Sequence, residues 1–171
     1  MDTEKNMLMV IAPRDFRDEE YFITKQILEE GGIGIVTAST MMGECYGVNG
    51  KIAQAETDLI QVNTINFDGI IFVGGPGAEQ LFEDRSVLAL ANDFFAEGKT
   101  VCAICSATVI LARAGLISGK RVTGWNGAHR VLKEAGAEVV LEPIVQDGNI
   151  ITGDGPDSSE EFGQAILDSL Q

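Results

Sequence analysis

The stretch Val101-Cys102-Ala103-Ile104-Cys105-Ser106-Ala107 carries an apolar run directly into a helical pattern that stops at Gly115. Ala103 and Ala107, two positions before and after Cys105, are small enough for the tight strand-to-helix turn of a nucleophile elbow, where glycine is usual. The stretch therefore predicts a buried strand, a sharp turn at Cys105 and a helix. The predicted helix is supported by apolar residues at helical spacing, which are Ala107, Ile110, Leu111 and Ala114.

The predicted turn has chemical consequences for its cysteine. Cys105 would face the positive end of a helix dipole and free backbone N–H groups, which favour thiolate, so we expect a reactive cysteine. The alternative is an ordinary small buried residue. A disulfide with Cys102 is not expected, since an extended strand would separate the two Cα atoms by about 10 Å, too far for a disulfide. We interpret Cys45 as an ordinary free thiol.

Three further apolar runs are continuous rather than alternating, which is typical of strands buried on both faces. They are Met7 to Ala12, Ile33 to Val36 and Ile70 to Val73. Amphipathic stretches between them, such as Glu19 to Glu30, predict helices. The alternation of strand and helix predicts an α/β fold with a mostly parallel sheet.

The C-terminal part departs from that pattern. A short helix is predicted from Ala128 to Ala135, and Asp147-Gly148 predicts a β-hairpin with a type I′ turn centred on those two residues. Ser158 and Glu161 have the spacing of a capping box and predict the start of the last helix. The buried face of that helix is predicted to comprise Phe162, Ala165, Ile166 and Ser169.

The composition is that of one soluble globular domain over residues 1–171. The chain is 45% apolar and 22% charged, and its length allows a core without disulfides. With 26 acidic against 12 basic residues the net charge is -14, which argues against nucleic-acid and anionic-membrane partners. We expect a cytoplasmic protein with reduced thiols, since no segment is typical of a signal or a membrane span. One histidine without a paired motif predicts no metal site, and no cofactor is expected.

A glycine-rich turn follows the third apolar run, where open α/β sheets bind ligands. Val73-Gly74-Gly75-Pro76-Gly77 permits three interpretations. It is a partial dinucleotide fingerprint that lacks its third glycine, an oxyanion hole in which the Gly75 amide joins the amide after the nucleophile, or a plain turn.

Taken together, these segments resemble the ThiJ/PfpI superfamily of intracellular proteases and deglycases, over nearly the whole chain. The residues that carry the resemblance are Phe16-Arg17-Asp18-Glu19-Glu20, Gly74-Gly75, Ala103-Ile104-Cys105 and Thr152-Gly153-Asp154-Gly155-Pro156. The resemblance implies a flavodoxin-like three-layer α/β/α sandwich, a single domain with the class I glutamine-amidotransferase-like fold, and a homodimer or higher homo-oligomer.

For the site, the resemblance implies that Cys105 is the reactive cysteine and that the Glu20 carboxyl touches its sulfur. A protonated carboxyl can donate a hydrogen bond to a thiolate or to an oxidised sulfur. The amides of Gly75 and Ser106 would then form the oxyanion hole.

Two departures from the family pattern concern possible auxiliary residues. Ser106 and Trp125 occupy positions where family proteases and several deglycases have a histidine, so neither supplies an imidazole base. His129 could substitute from one turn further along. Arg17 replaces an acid found in some relatives, and it could pair with Asp18 or with a substrate carboxylate.

These residues favour cysteine-dependent chemistry on a small electrophile such as a reactive ketoaldehyde, as in glyoxalases and deglycases that protect against stress. One alternative is an oxidation-sensing or chaperone-like stress protein that uses a Cys105 sulfinic acid. Another is isocyanide hydration, suggested by Ser106. Peptide hydrolysis is less expected because expelling an amine normally needs a positioned general acid. Glutamine amidotransferase activity is excluded because no histidine follows His129.

Overall fold

The computed structural model describes residues 4–171. Its strands, in chain order, are β1 (Asn6–Val10), β2 (Arg14–Phe16), β3 (Gly34–Ser39), β4 (Gly43–Gly47), β5 (Ile52–Ala55), β6 (Thr57–Asp58), β7 (Gly69–Phe72), β8 (Thr100–Ile104), β9 (Arg121–Val122), β10 (Glu138–Val139), β11 (Ile144–Asp147) and β12 (Ile150–Gly153). Its α-helices are α1 (Asp18–Glu30), α2 (Arg85–Ala96), α3 (Thr108–Arg113), α4 (His129–Glu134) and α5 (Ser159–Ser169). Within these residues, none of the helices has the length and apolar character needed to cross a membrane.

The main sheet has the strand order β11-β12-β8-β7-β1-β3-β6. All neighbouring strands in it run parallel except the β11–β12 hairpin. The four continuous apolar runs of the sequence are β1, β3, β7 and β8, which lie side by side in this sheet. The predicted α/β fold with a mostly parallel sheet and a C-terminal hairpin is therefore confirmed.

Alternate side chains of the central strands enter two separate cores. In β1, Leu8 and Val10 pack with α2 and α3, whereas Met7 and Met9 pack on the other face with α1 and α5. Burying one such side chain contributes about 1.5–3 kcal/mol, so both faces of the sheet must be covered. The result is the three-layer arrangement that the resemblance implied.

Three local expectations about the C-terminal part are wrong. Asp147 pairs with Ile150, so the hairpin turn is Gly148-Asn149 and not Asp147-Gly148. Only Gly148 has a positive φ (62°), as in a type II′ turn, whereas type I′ needs two such residues. The Ser158 hydroxyl donates to Asp154 and does not cap α5, and Ser169 is exposed.

A second, three-stranded sheet with the order β2-β4-β5 lies in the region where the sequence showed no regular pattern. Its hairpin is attached to the start of α1 by Asp18, a buried carboxylate that accepts hydrogen bonds from the backbone N–H groups of Asn49 (2.9 Å) and Lys51 (3.0 Å). Asp18 therefore fixes the first turn of α1, which also carries Glu20.

Candidate active site

Cys105 occupies the sharp turn between β8 and the helix that follows. Its φ of 60° lies in the left-handed region, which costs a residue other than glycine about 1–2 kcal/mol. Neighbouring hydrogen bonds hold this conformation, because the Cys105 carbonyl oxygen accepts from the Thr108 hydroxyl (2.9 Å) and from the Trp125 backbone N–H (3.2 Å). The sharp turn predicted from the sequence is present in the structure, and its positive φ adds backbone strain.

Gly74 lies between the thiol and the carboxyl expected beside it. Its N–H donates to Oε1 of Glu20 (2.9 Å), and its carbonyl oxygen accepts from the Arg17 N–H (2.9 Å). A Cβ atom at this position would lie 2.7 Å from Glu20 Oε1 and 2.9 Å from the Cβ of Cys105. Glycine is therefore needed here because the thiol and the carboxyl approach the same stretch of backbone.

Glu20 is a fully buried carboxyl group on the first turn of α1. Burial raises its pKa from 4.5 to about 7, while interactions with the Cys105 thiol, the Gly74 N–H and the Arg17 guanidinium lower it. Its Oε2 atom completes no hydrogen bond within residues 4–171, although the thiol and the carboxyl are near enough to shift each other's pKa. The Glu20 carboxyl therefore lies close to the sulfur and has one oxygen without a geometric hydrogen bond among residues 4–171.

The Cys105 thiol does not have the lowered pKa that its place at the turn predicts. Burial, followed by the charge of ionised Glu20, raises its pKa from 9.0 to about 12, and the backbone N–H groups of Ser106 and Gly75 only partly oppose this. The partial charges of two amides are weaker than the combined effect of desolvation and a neighbouring carboxylate. Burial and the neighbouring carboxylate thus both favour the thiol form of Cys105, and the two groups titrate as a coupled pair.

A cavity of about 130 Å³ gives access to the sulfur, which is 6% exposed as part of Cys105. The cavity is lined by Arg17, Gly75, Pro76, Cys105, Ser106 and Trp125. The structure therefore brings most of the sequence-predicted site residues to one place. Pro76, which the sequence analysis treated only as part of a turn, is the additional member.

Arg17 is half-buried at the wall of this cavity. It does not form the ion pair with Asp18 considered from the sequence, because the Asp18 carboxylate accepts from the hairpin backbone instead. Within the described part of the chain, the buried Nε atom of Arg17 has no hydrogen-bond partner. Arg17 thus presents an unused donor near the sulfur.

His129 is not among the residues that line the cavity. Its Nε2 atom lies 3.1 Å from the Gly124 carbonyl oxygen, so this nitrogen carries the proton and donates. The Ser106 hydroxyl is also engaged, since it donates to the Gly75 carbonyl oxygen (2.8 Å). Residues 4–171 contain no cluster of three or more side chains suited to hold a metal ion.

A larger cavity of about 410 Å³ adjoins the first. The two share Gly75, Pro76, Ser106 and Trp125. Its other walls include Phe82, Val109 and Val131, which the sequence analysis did not single out as site residues. Their only sequence signal is apolar character, which equally indicates core packing.

Comparison with known proteins agrees with this fold. The model of the DJ-1/PfpI family matches residues 5–169. An uncharacterized protein of Methanocaldococcus jannaschii is 38% identical over 168 residues, covering 96% of this chain and 82% of the relative. The Pyrococcus furiosus protein named Deglycase PfpI is 28% identical over 149 residues, which is 87% of this chain and 90% of the relative.

Among solved structures, the ThiJ/PfpI domain protein from Brachyspira murdochii superposes with a TM-score of 0.96 at 32% identity, covering 99% of this chain and 98% of the other. A family match over almost the whole chain, together with the same arrangement of strands and helices, leads to one conclusion. The chain belongs to the DJ-1/PfpI family.

Proposed function

We propose that this chain is a cysteine-dependent enzyme that converts small reactive carbonyl compounds, with 2-ketoaldehydes as substrates. The observation that carries the proposal is the buried pair of Cys105 and Glu20, in which a carboxyl with a pKa of about 7 and a free oxygen lies beside the thiol. The name of the Pyrococcus furiosus relative, Deglycase PfpI, supports chemistry on carbonyl-derived groups.

In the first step, the Glu20 carboxylate accepts the thiol proton as the Cys105 sulfur forms a bond to the aldehyde carbon. The carbonyl electron pair moves onto oxygen, where the N–H groups of Gly75 and Ser106 stabilise the negative charge. Glu20 then returns the proton to that oxygen. The product is a hemithioacetal, and no histidine is required.

In the second step, Glu20 removes the proton from the former aldehyde carbon and returns a proton to the adjacent ketone carbon through an enediol. The aldehyde carbon is thereby oxidised to a thioester, and the ketone carbon is reduced to an alcohol. Water cleaves the thioester, which releases a 2-hydroxy acid and restores the Cys105 thiol. The sum is ketoaldehyde plus water to hydroxy acid, so no external oxidant or reductant is needed.

The direct test is lactate formation from methylglyoxal by the wild type, Cys105→Ala and Cys102→Ala. We expect turnover by the wild type and by Cys102→Ala, which removes a thiol outside the cavity, but none by Cys105→Ala. Equal lactate formation by the wild type and Cys105→Ala would exclude the proposed activity.

Arg17 supports a second candidate, an oxidation sensor. Peroxide can convert the thiol to a sulfinic acid, with two H₂O₂ consumed and two water molecules released. The unpartnered Nε of Arg17 and a protonated Glu20 would then both donate to the sulfinate oxygens. Mass spectrometry after graded peroxide tests this. We expect selective addition of two oxygens at Cys105 and less of it in Arg17→Met, whereas uniform oxidation of all three cysteines would exclude a tuned site.

Isocyanide hydration and peptide hydrolysis have weaker support. The Ser106 hydroxyl that suggested the former is used to hold Gly75, and the single histidine does not line the cavity. The expected homo-oligomer and the small electrophilic partner stay predictions.

A further inference from the structure

The cavity that contains Cys105 is adjacent to the larger one, because four residues line both. Gly75 and Ser106, whose N–H groups interact with the sulfur, line both cavities. A molecule bonded to the sulfur would therefore lie next to the larger space. We name this larger space the side cavity, defined by Gly75, Pro76, Glu79, Phe82, Ser106, Val109, Arg113, Trp125, Gly127, Ala128 and Val131.

The side cavity suits an uncharged apolar group. Phe82, Val109 and Val131 supply hydrocarbon walls. Among the lining residues within 4–171, Arg113 is the one cationic side chain; it is exposed and lies 3.0 Å from Glu83, and the exposed Glu79 adds a negative charge that opposes anion binding. Burying apolar area contributes roughly 25 cal/mol per Å², so these walls favour the binding of a bulky hydrocarbon substituent.

Trp125 forms the wall common to both cavities, and its orientation is held by its surroundings. Its backbone N–H donates to the Cys105 carbonyl oxygen (3.2 Å). Its ring packs so closely on Gly127 that a Cβ there would collide with it. An aromatic side chain that is 52% exposed and yet held in this way is positioned to contact a ligand.

We propose that the side cavity binds the substituent on the ketone carbon and selects 2-ketoaldehydes that carry a bulky, uncharged apolar group over methylglyoxal. This inference rests on the proposed function and specifies its substrate class. Trp125 and Val131 are the specificity-determining residues. Trp125 lines both the Cys105 cavity and the side cavity, whereas Val131, on α4, lines the side cavity alone.

The test compares initial rates for phenylglyoxal and methylglyoxal with the wild type, Val131→Phe and Lys133→Phe. Val131→Phe fills the side cavity, whereas Lys133→Phe adds the same ring to an exposed position on the same helix. We expect the wild type to prefer phenylglyoxal. Val131→Phe should lower kcat/KM for phenylglyoxal about tenfold through KM and leave methylglyoxal within about twofold. Equal losses for both substrates, or no preference in the wild type, would overturn the inference.

A binding measurement separates this inference from the proposed function. Trp125 is the single tryptophan, so its fluorescence reports on the shared wall. In Cys105→Ala, which cannot react, cyclohexyl methyl ketone should change this fluorescence at lower concentration than acetone, and Val131→Phe should abolish the difference. Equal responses to the two ketones would contradict the side-cavity assignment even if methylglyoxal is turned over. A clear difference would support it even if no turnover is found.

Discussion

Cys102 and Cys105 are three residues apart and both buried, yet they differ in backbone conformation, access to a cavity and neighbouring charge. Cys102 lies within β8, fully buried between Ile71 and Ile151 of the neighbouring strands, and burial is the only influence that raises its pKa. Cys105 has a left-handed backbone, reaches a cavity and has a carboxyl beside it. Both thiols are buried, so the difference lies in what other segments bring to the turn.

The largest expected effect comes from removing the Glu20 carboxyl group, which lies beside Cys105 and not beside Cys102. We expect Glu20→Gln to lower kcat/KM for methylglyoxal by about 10²–10⁴, because the thiol loses its general base. In the wild type kcat/KM should rise with pH, with a midpoint near 7, as Glu20 ionises. Steady-state kinetics from pH 5 to 9 measure both, and that range is roughly two units either side of the midpoint.

Glu19→Gln is the matched control, since it neutralises the neighbouring carboxylate and should change the rate only a few-fold. A pH profile that is identical in the wild type and Glu20→Gln would show that another group sets the midpoint.

Measurements of folding stability test the effect of the Glu20 carboxyl group without any substrate. Because the folded-state pKa of Glu20 is raised, its stabilising contribution is complete below about pH 4.5 and is lost as the pH rises through about 7. The loss amounts to about 3 kcal/mol. We therefore expect the free energy of unfolding of Glu20→Gln to rise by about 3 kcal/mol relative to that of the wild type as the pH goes from about 4.5 to about 7. Urea unfolding at several pH values measures the difference, and a pH-independent difference would contradict the raised pKa.

Backbone strain also distinguishes the two cysteines. The stability difference between the glycine and the alanine variant should have opposite signs at positions 105 and 102. Glycine has no penalty at a positive φ, so Cys105→Gly should be more stable than Cys105→Ala by about 1 kcal/mol. In a strand glycine is unfavourable, so Cys102→Gly should be less stable than Cys102→Ala by a similar amount, about 1 kcal/mol. Urea unfolding of the four variants decides this, and the same sign at both positions would refute a strained turn.

The smallest effect concerns Arg17, whose positive charge lowers the pKa of Glu20. Replacing it with methionine keeps the apolar bulk and removes the charge. We expect Arg17→Met to move the midpoint of the kcat/KM profile to higher pH, with kcat little changed on the plateau. A midpoint that stays in place would show that the guanidinium does not act on Glu20.

The elements that form the sheet could be predicted because their signals are local. The continuous apolar runs of β1, β3, β7 and β8 indicate strands buried on both faces. The β2-β4-β5 sheet could not be found in this way, because its short strands mix buried and exposed residues and depend on Asp18 to hold the hairpin. The hairpin turn was misplaced by one residue, since pairing across the strands sets the register.

The amino-acid sequence by itself determined the α/β fold and the sharp turn at Cys105, because small residues and apolar runs act through neighbouring backbone. Only the tertiary structure decided that burial and the Glu20 carboxylate raise the pKa of Cys105, that the Nε atom of Arg17 has no hydrogen-bond partner within residues 4–171, and that His129 lies outside the cavity. A pKa depends on burial and on charges brought from distant segments, as when Glu20 meets the N–H of a glycine 54 residues away. A contact between residues so far apart in the chain leaves no local sequence pattern from which it could be predicted.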